Sequence, residues 1–103
     1  MVDMDEVAIF KALANESRLR ILQWMKDPEK HFGATPNGRP RGKAVCVGEI
    51  QAKLGLSQST VSHFLALLLQ ADLLVAKRDG QWTFYERNEN TIQALERFLK
   101  DEI

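Results

Sequence analysis

The sequence predicts a mainly α-helical fold carrying a single β-hairpin. Three observations support this. Apolar residues recur at spacings of three and four through most of the chain, the helical period. The stretch GLSQSTVSHFLALLLQADLL, Gly55 to Leu74, reads as a turn, a helix cap, and a helix with one polar and one apolar face. Asp79-Gly80 sits between two runs rich in Val, Thr and aromatics, which is a hairpin signal. The expected order is α-α-loop-α-α-β-β-α.

The first helix, Met4 to Ala14, carries Val7, Phe10, Leu13 and Ala14 at helical spacing. Asn15 is placed to cap a second, Glu16 to Lys26, whose Leu19, Ile21, Leu22, Trp24 and Met25 cover a wide arc and predict a central position. Pro28 follows, where that helix cannot continue. Residues 28–43 hold three Pro and three Gly in sixteen positions and are expected to form a loop. Lys30, Arg39, Arg41 and Lys43 make it basic. It reads either as a surface insertion or as an arm that reaches phosphates by charge. A short helix, about Val47 to Leu54, places Val47, Ile50 and Leu54 on one face. Strands are expected at Leu73–Arg78 and Trp82–Arg87, with Trp82, Phe84 and Tyr85 packing the hairpin. Asn88 or Asn90 caps a last helix with Ile92, Leu95, Phe98 and Leu99 on one side.

The helix at Ser57–Leu69 is the most informative element. Gly55 supplies the permissive backbone that ends the preceding helix. Ser57 is positioned as N-cap, and Val61, Leu65 and Leu68 share one face. Gln58, Ser59, Thr60, Ser62 and His63 crowd the first two turns with hydrogen-bonding side chains, charged only where His63 is protonated. An apolar back and a polar N-terminal end are what a helix needs to dock in the major groove of double-stranded DNA. Gln58 is suited to a bidentate pair with adenine, and Ser57, Thr60 and His63 to phosphates. On the hairpin, Lys77, Arg78 and Gln81 are the expected contacts of a wing lying along the DNA.

Composition is that of an ordinary globule, 45 % hydrophobic and 27 % charged over 103 residues, and one domain is expected over 1–103. No apolar run approaches the roughly 20 residues that span a bilayer, so no membrane association is expected. No export signal opens the chain, and the single cysteine, Cys46, cannot form an internal disulfide; a reducing cytoplasm is the expected compartment. The net charge is zero but unevenly spread. Residues 17–54 hold eight Lys or Arg against three acids, whereas both flanking segments are acidic. That layout suits one phosphate-facing surface, and equally an ordinary mixed solvent shell.

These residues resemble the ArsR-type winged helix-turn-helix transcriptional regulators. The similarity rests on ALANESRLRIL at 12–22, LGLSQSTVSHFLALLLQADLL at 54–74 and GQWTFYER at 80–87. It implies a homodimer through the first and last helices, operator binding, and repression relieved by an effector. Where the family often has Gly before the final Leu pair, this chain has Asp72; where it often has a second His, it has Phe64. The family's metal sensors carry a Cys-x-Cys pair where this chain reads Cys46-Val47-Gly48, and a further site on a last helix that here has no His. One thiol does not hold a soft metal, so no metal and no cofactor is expected. Cys46 reads either as a small buried side chain or as an oxidant-sensing thiol, its pKa lowered by the helix N-terminus and Lys43. The effector, small molecule or oxidant, is left open. No catalytic motif is present, and Glu16, Glu49 and Glu86 read as solvated. The rival to DNA binding is a winged helix used for protein contact or dimerisation.

Overall fold

The computed structural model describes residues 4–35, 38 and 41–103. The helices are α1 (Glu6–Leu13), α2 (Glu16–Met25), α3 (Pro28–Phe32), α4 (Val47–Leu54), α5 (Gln58–Gln70) and α6 (Glu89–Glu102). The strands are β1 (Val45–Cys46), β2 (Leu74–Asp79) and β3 (Trp82–Arg87), antiparallel in the order β1-β3-β2. The predicted order is present, with two additions.

Five helices begin on a side chain that accepts a backbone N–H three residues ahead. Asp5 accepts from Ala8 (3.0 Å), Asn15 from Arg18 (3.0 Å), Asp27 from Lys30 (3.3 Å), Ser57 from Thr60 (3.2 Å) and Asn88 from Thr91 (3.5 Å). Asn88, not Asn90, is thus the cap of α6. The first addition, α3, lies inside the segment expected to be a loop. Its Asp27 cap and a proline at the first helical position suit a helix start, so Pro28 opens a helix as well as following one. The second, β1, pairs Val45 with Tyr85 and Cys46 with Phe84 and turns the hairpin into a three-stranded sheet. Arg39 of the expected basic arm lies outside the described residues.

The core gathers Ile9 and Ala12 of α1, Ile21, Leu22 and Met25 of α2, Val45, Ile50 of α4, Val61, Leu65 and Leu68 of α5, and Leu73 and Leu74. Side chains at positions 61, 65 and 68 are buried because one helical face repeats at that spacing. Helix α1 has two apolar sides: Ile9 and Ala12 enter the core, while Val7 and Phe10 stay exposed. Phe10 meets Phe98 of α6 at 6.3 Å between ring centroids. In α2 Leu19 faces solvent and Trp24 is half-buried, so the buried arc is narrower than the sequence suggested. Arg18 ties α2 to the end of α1, its guanidinium donating to the carbonyls of Ala12 (2.7 Å) and Lys11 (3.3 Å).

The end of α5 is closed by hydrogen bonds from Asp72 N–H to Leu69 O and from Leu73 N–H to Leu68 O, both 3.0 Å. This closure requires a left-handed residue at 72, and Asp72 has φ 59°. The sequence's departure from glycine at that position is therefore a site of backbone strain.

Candidate nucleic-acid interface

Helix α4 ends at Gly55 (φ 71°, ψ 25°), whose N–H donates to Gln51 O at 2.9 Å. The left-handed glycine turns the chain tightly enough for α5 to start three residues later. Ser57 caps it. Its hydroxyl accepts the Thr60 N–H, donates to Thr60 Oγ1 at 2.8 Å, and lies 3.3 Å from Ser59 Oγ. The hydroxyls of Ser57 and Thr60 are thus engaged with each other, and Thr60 is half-buried. Gln58, Ser59, Ser62 and His63 are exposed. Four side chains with hydrogen-bonding capacity therefore face water on the first two turns, above a buried Val61–Leu65–Leu68 stripe. His63 lies beside Phe64, 6.4 Å between ring centroids, and Phe64 in turn carries the Arg18 guanidinium at 5.6 Å from its centroid.

The hairpin turns at Gly80 (φ 61°), and Lys77, Arg78 and Gln81 are all exposed. Lys77 pairs with Glu86 across the strands at 3.1 Å, and Arg78 Nε reaches Gly80 O at 3.4 Å. The register places Arg78 opposite Thr83 and Asp79 opposite Trp82, so Arg78 and Trp82 project from opposite faces. Trp82 was expected to pack, yet it is 42 % exposed and meets no other ring among the described residues. Its position beside the turn, with parity opposite to the core-facing Tyr85, is the signal that foretells this.

The corner beneath these elements departs most from the sequence reading. Arg41, expected at the surface of a basic loop that reads either as an insertion or as a phosphate-reaching arm, is folded inward with 5 % of its side chain exposed. Its guanidinium donates to Gly33 O (2.6 Å), Ala34 O (3.0 Å), Ala44 O (3.2 Å) and both carboxylate oxygens of Glu49. Glu49, expected to be solvated, is 10 % exposed and also accepts the Cys46 N–H at 3.2 Å. A Glu three residues after a helix cap is the position from which a side chain reaches back to the cap's N–H, and that spacing was legible. Glu16 does remain at the surface, paired with Arg20 at 3.0 Å, while Glu86 is shielded by Lys77.

Burial works to raise the Glu49 pKa, but hydrogen bonds from Arg41 and Cys46 outweigh it, and the carboxyl is held below its ordinary value. The Cys46 thiol shifts the other way. Burial, with the Glu49 carboxylate beside it, raises its pKa despite the helix start. Of the two readings of Cys46, the small buried side chain agrees with the structure and the thiol activated by the helix end and Lys43 does not: Cys46 is buried, its pKa is raised, and Lys43 is exposed. Among the described residues no group of three His, Cys, Asp or Glu could hold a metal, and no helix is long and apolar enough to cross a membrane.

Comparison with known proteins places this geometry. Residues 41–75, spanning the Arg41 corner, α4, the turn and α5, match the family described as bacterial regulatory protein, arsR family. The HTH-type transcriptional regulator YbzH of Bacillus subtilis is 47 % identical over 100 residues, covering 97 % of this chain and 100 % of the relative. The putative arsenical resistance operon repressor ArsR2 of Halobacterium salinarum is 30 % identical over 99 residues, 92 % of this chain and 72 % of the relative. Among solved structures, the homodimeric winged helix-turn-helix DNA-binding domain of Mb0332 from Mycobacterium bovis superposes with a TM-score of 0.64 at 27 % identity, covering 93 % of this chain and 78 % of that one. Sequence, fold and relatives agree: the chain belongs to the ArsR family of winged helix-turn-helix transcriptional regulators, which are DNA-binding proteins and not enzymes.

Proposed function

We propose that the protein is a homodimeric repressor that reads a near-palindromic operator, with the start of α5 in the major groove and the β2–β3 hairpin as wing. The observation that carries this reading is the exposed polar end of α5 standing on a fully buried apolar stripe. Gln58, Ser59, Ser62 and His63 contact the DNA from that end, Gln58 reading a base edge. Ser57 and Thr60 hold the helix start, whose free N–H groups favour a phosphate. Lys77, Arg78 and Gln81 of the wing lie along the backbone or tip into the minor groove.

Dimerisation is supported by apolar surface left open on α1 and α6. Val7 is 61 % exposed, Leu99 47 % and Ile103 79 %, beside the Phe10–Phe98 contact. Twofold pairing there sets two reading helices roughly 34–36 Å apart, one turn of DNA. Repression follows from occupying promoter DNA, in keeping with the relative named as a repressor. The test combines light scattering of the purified protein with anisotropy titrations of operator DNA between about 50 and 200 mM salt. A dimer whose affinity falls steeply with salt is expected. A monomer, or a salt-independent affinity, would end the proposal. Transcription from an operator-bearing promoter should fall on adding protein, and a rise would overturn the repressor assignment.

A further inference from the structure

We propose that the groove between α1 and the C-terminal half of α5 binds a short zwitterionic peptide, with its ammonium end at Asp5 and Asp72 and its carboxylate end at Lys11 and Arg18. Two neighbouring cavities, about 100 and 390 Å³, share the walls Ala8, Gln70 and Ala71 and so form one run along the two helices. The smaller is edged by Asp5 and Asp72, the larger by Lys11 and Arg18. One open groove therefore carries opposite charge at its two ends.

Three features fit this ligand. The walls between the charged ends are small and largely apolar, Ala8, Ala12 and Ala71, so a backbone can approach closely, while the Gln70 amide offers a donor and an acceptor. Thr91, 1 % exposed, lines the acidic end, and its hydroxyl has no hydrogen-bond partner among the described residues. That hydroxyl oxygen is itself sealed from solvent, so Thr91 marks the polar floor of this end and is not a direct ligand contact. The negative pole at the end of α5 and the positive pole at the start of α1, which Asp5 caps, oppose each other here, so the attraction for an ammonium comes from the Asp5 and Asp72 carboxylates. Lys11 has no ion-pair partner among the described residues, and the Arg18 guanidinium is already fixed by Ala12 O and Lys11 O.

Length selects the class. Asp5 and Lys11 are six residues apart on one helix, about 9 Å along its axis. A free amino acid is too short to bridge them, whereas three extended residues span about 10 Å. At 100° per residue, Asp5, Ala8 and Ala12 lie on a face distinct from Val7 and Phe10, whereas Lys11, one turn after Val7, borders the face assigned to dimerisation. The basic end of the groove therefore lies at the edge of the proposed dimer face, and the Ala8 and Ala12 walls lie away from it. Its walls are a dimer helix and the DNA-reading helix, so as an effector site it rests on the proposed function. As a binding site it stands without it.

The test titrates the full chain, free of DNA, with trialanine, and follows it by calorimetry and backbone amide NMR. Shifts centred on Ala8, Gln70 and Ala71 are expected. Acetylating the N-terminus and amidating the C-terminus together should weaken binding by about tenfold or more, and Lys11→Gln or Asp72→Asn by about three- to fivefold each. Free alanine should not bind. No binding of trialanine at about 10 mM, shifts centred elsewhere, or indifference to both end-caps would each overturn the proposal. The capped peptides need no mutation, so they decide the matter even if a variant fails to fold. Operator affinity measured on the same sample separates the two readings: intact DNA binding with no peptide binding removes the groove alone.

Discussion

The Arg41 corner and the start of α5 solve opposite problems with polar side chains. In the corner a full positive and a full negative charge are sequestered, and each hydrogen-bonding direction is answered within the chain by Gly33, Ala34, Ala44, Cys46 and Glu49. At the start of α5 the side chains are neutral or weakly charged, and Gln58, Ser59, Ser62 and His63 project outward with capacity to spare. Formal charge is therefore a poor guide to which of these polar residues face water. The most basic stretch of the sequence uses one of its arginines to hold the fold, and the uncharged stretch stays exposed, free for the contact proposed above.

If this contrast is correct, mutations in the two regions separate stability from binding. The largest effect is expected in the corner. Glu49→Ala leaves a buried guanidinium without its counter-ion and should cost about 3–5 kcal/mol by urea unfolding, while replacing Arg41 and Glu49 together by Met and Leu should recover only part of that loss, because the Gly33, Ala34 and Ala44 carbonyls and the Cys46 N–H lose their partners. A double variant as unstable as the single one would show that the bonds of this pair to the backbone, not its charge pairing, are at stake. At the other pole, Gln58→Ala should leave unfolding within about 0.5 kcal/mol of wild type. The same change should cost about 1–3 kcal/mol in operator affinity, read by anisotropy.

Acid sharpens the contrast. Because Glu49 is held below its ordinary value of 4.5, its contribution is complete above that value and is lost as the pH falls through the lowered folded pKa. The urea midpoint should drop below about pH 4.5 in wild type, and Glu49→Gln should flatten that component. Ser57→Ala removes the α5 cap and is expected to cost about 1 kcal/mol. The smallest effect is a gain: Asp72→Gly relieves the left-handed strain at φ 59° and should stabilise by about 0.5–1 kcal/mol, visible as a raised Tm.

Legibility in the sequence followed locality. The caps Asn15 and Ser57, the Gly55 turn, the Asp79-Gly80 hairpin and the α5 stripe all rest on spacings of a few residues, and they appear where the sequence places them. Strand β1 was not legible because two residues cannot display a period of two, and its partners lie about forty positions away. Helix α3 is obscured by the three Pro and three Gly of residues 28–43, although Asp27 followed by Pro28 is a local helix-start signal. The fate of Arg41 depends on Glu49 eight residues on, across a loop whose path no local rule gives. At the interface, the exposure of Gln58, Ser59, Ser62 and His63 was readable from helical phase. The mutual bond of Ser57 and Thr60 was not, because two hydroxyls one turn apart can face each other or the DNA.

The most direct measurement is selection of bound duplexes from a random pool by the wild-type protein and by Gln58→Ala, sequenced side by side. Two inverted half-sites with centres about 10–10.5 base pairs apart, or a multiple of that, should be enriched by wild type, and the variant should lose preference at the same position in each half-site. No enriched sequence, a lone unrepeated motif, or identical motifs from both proteins would contradict the account.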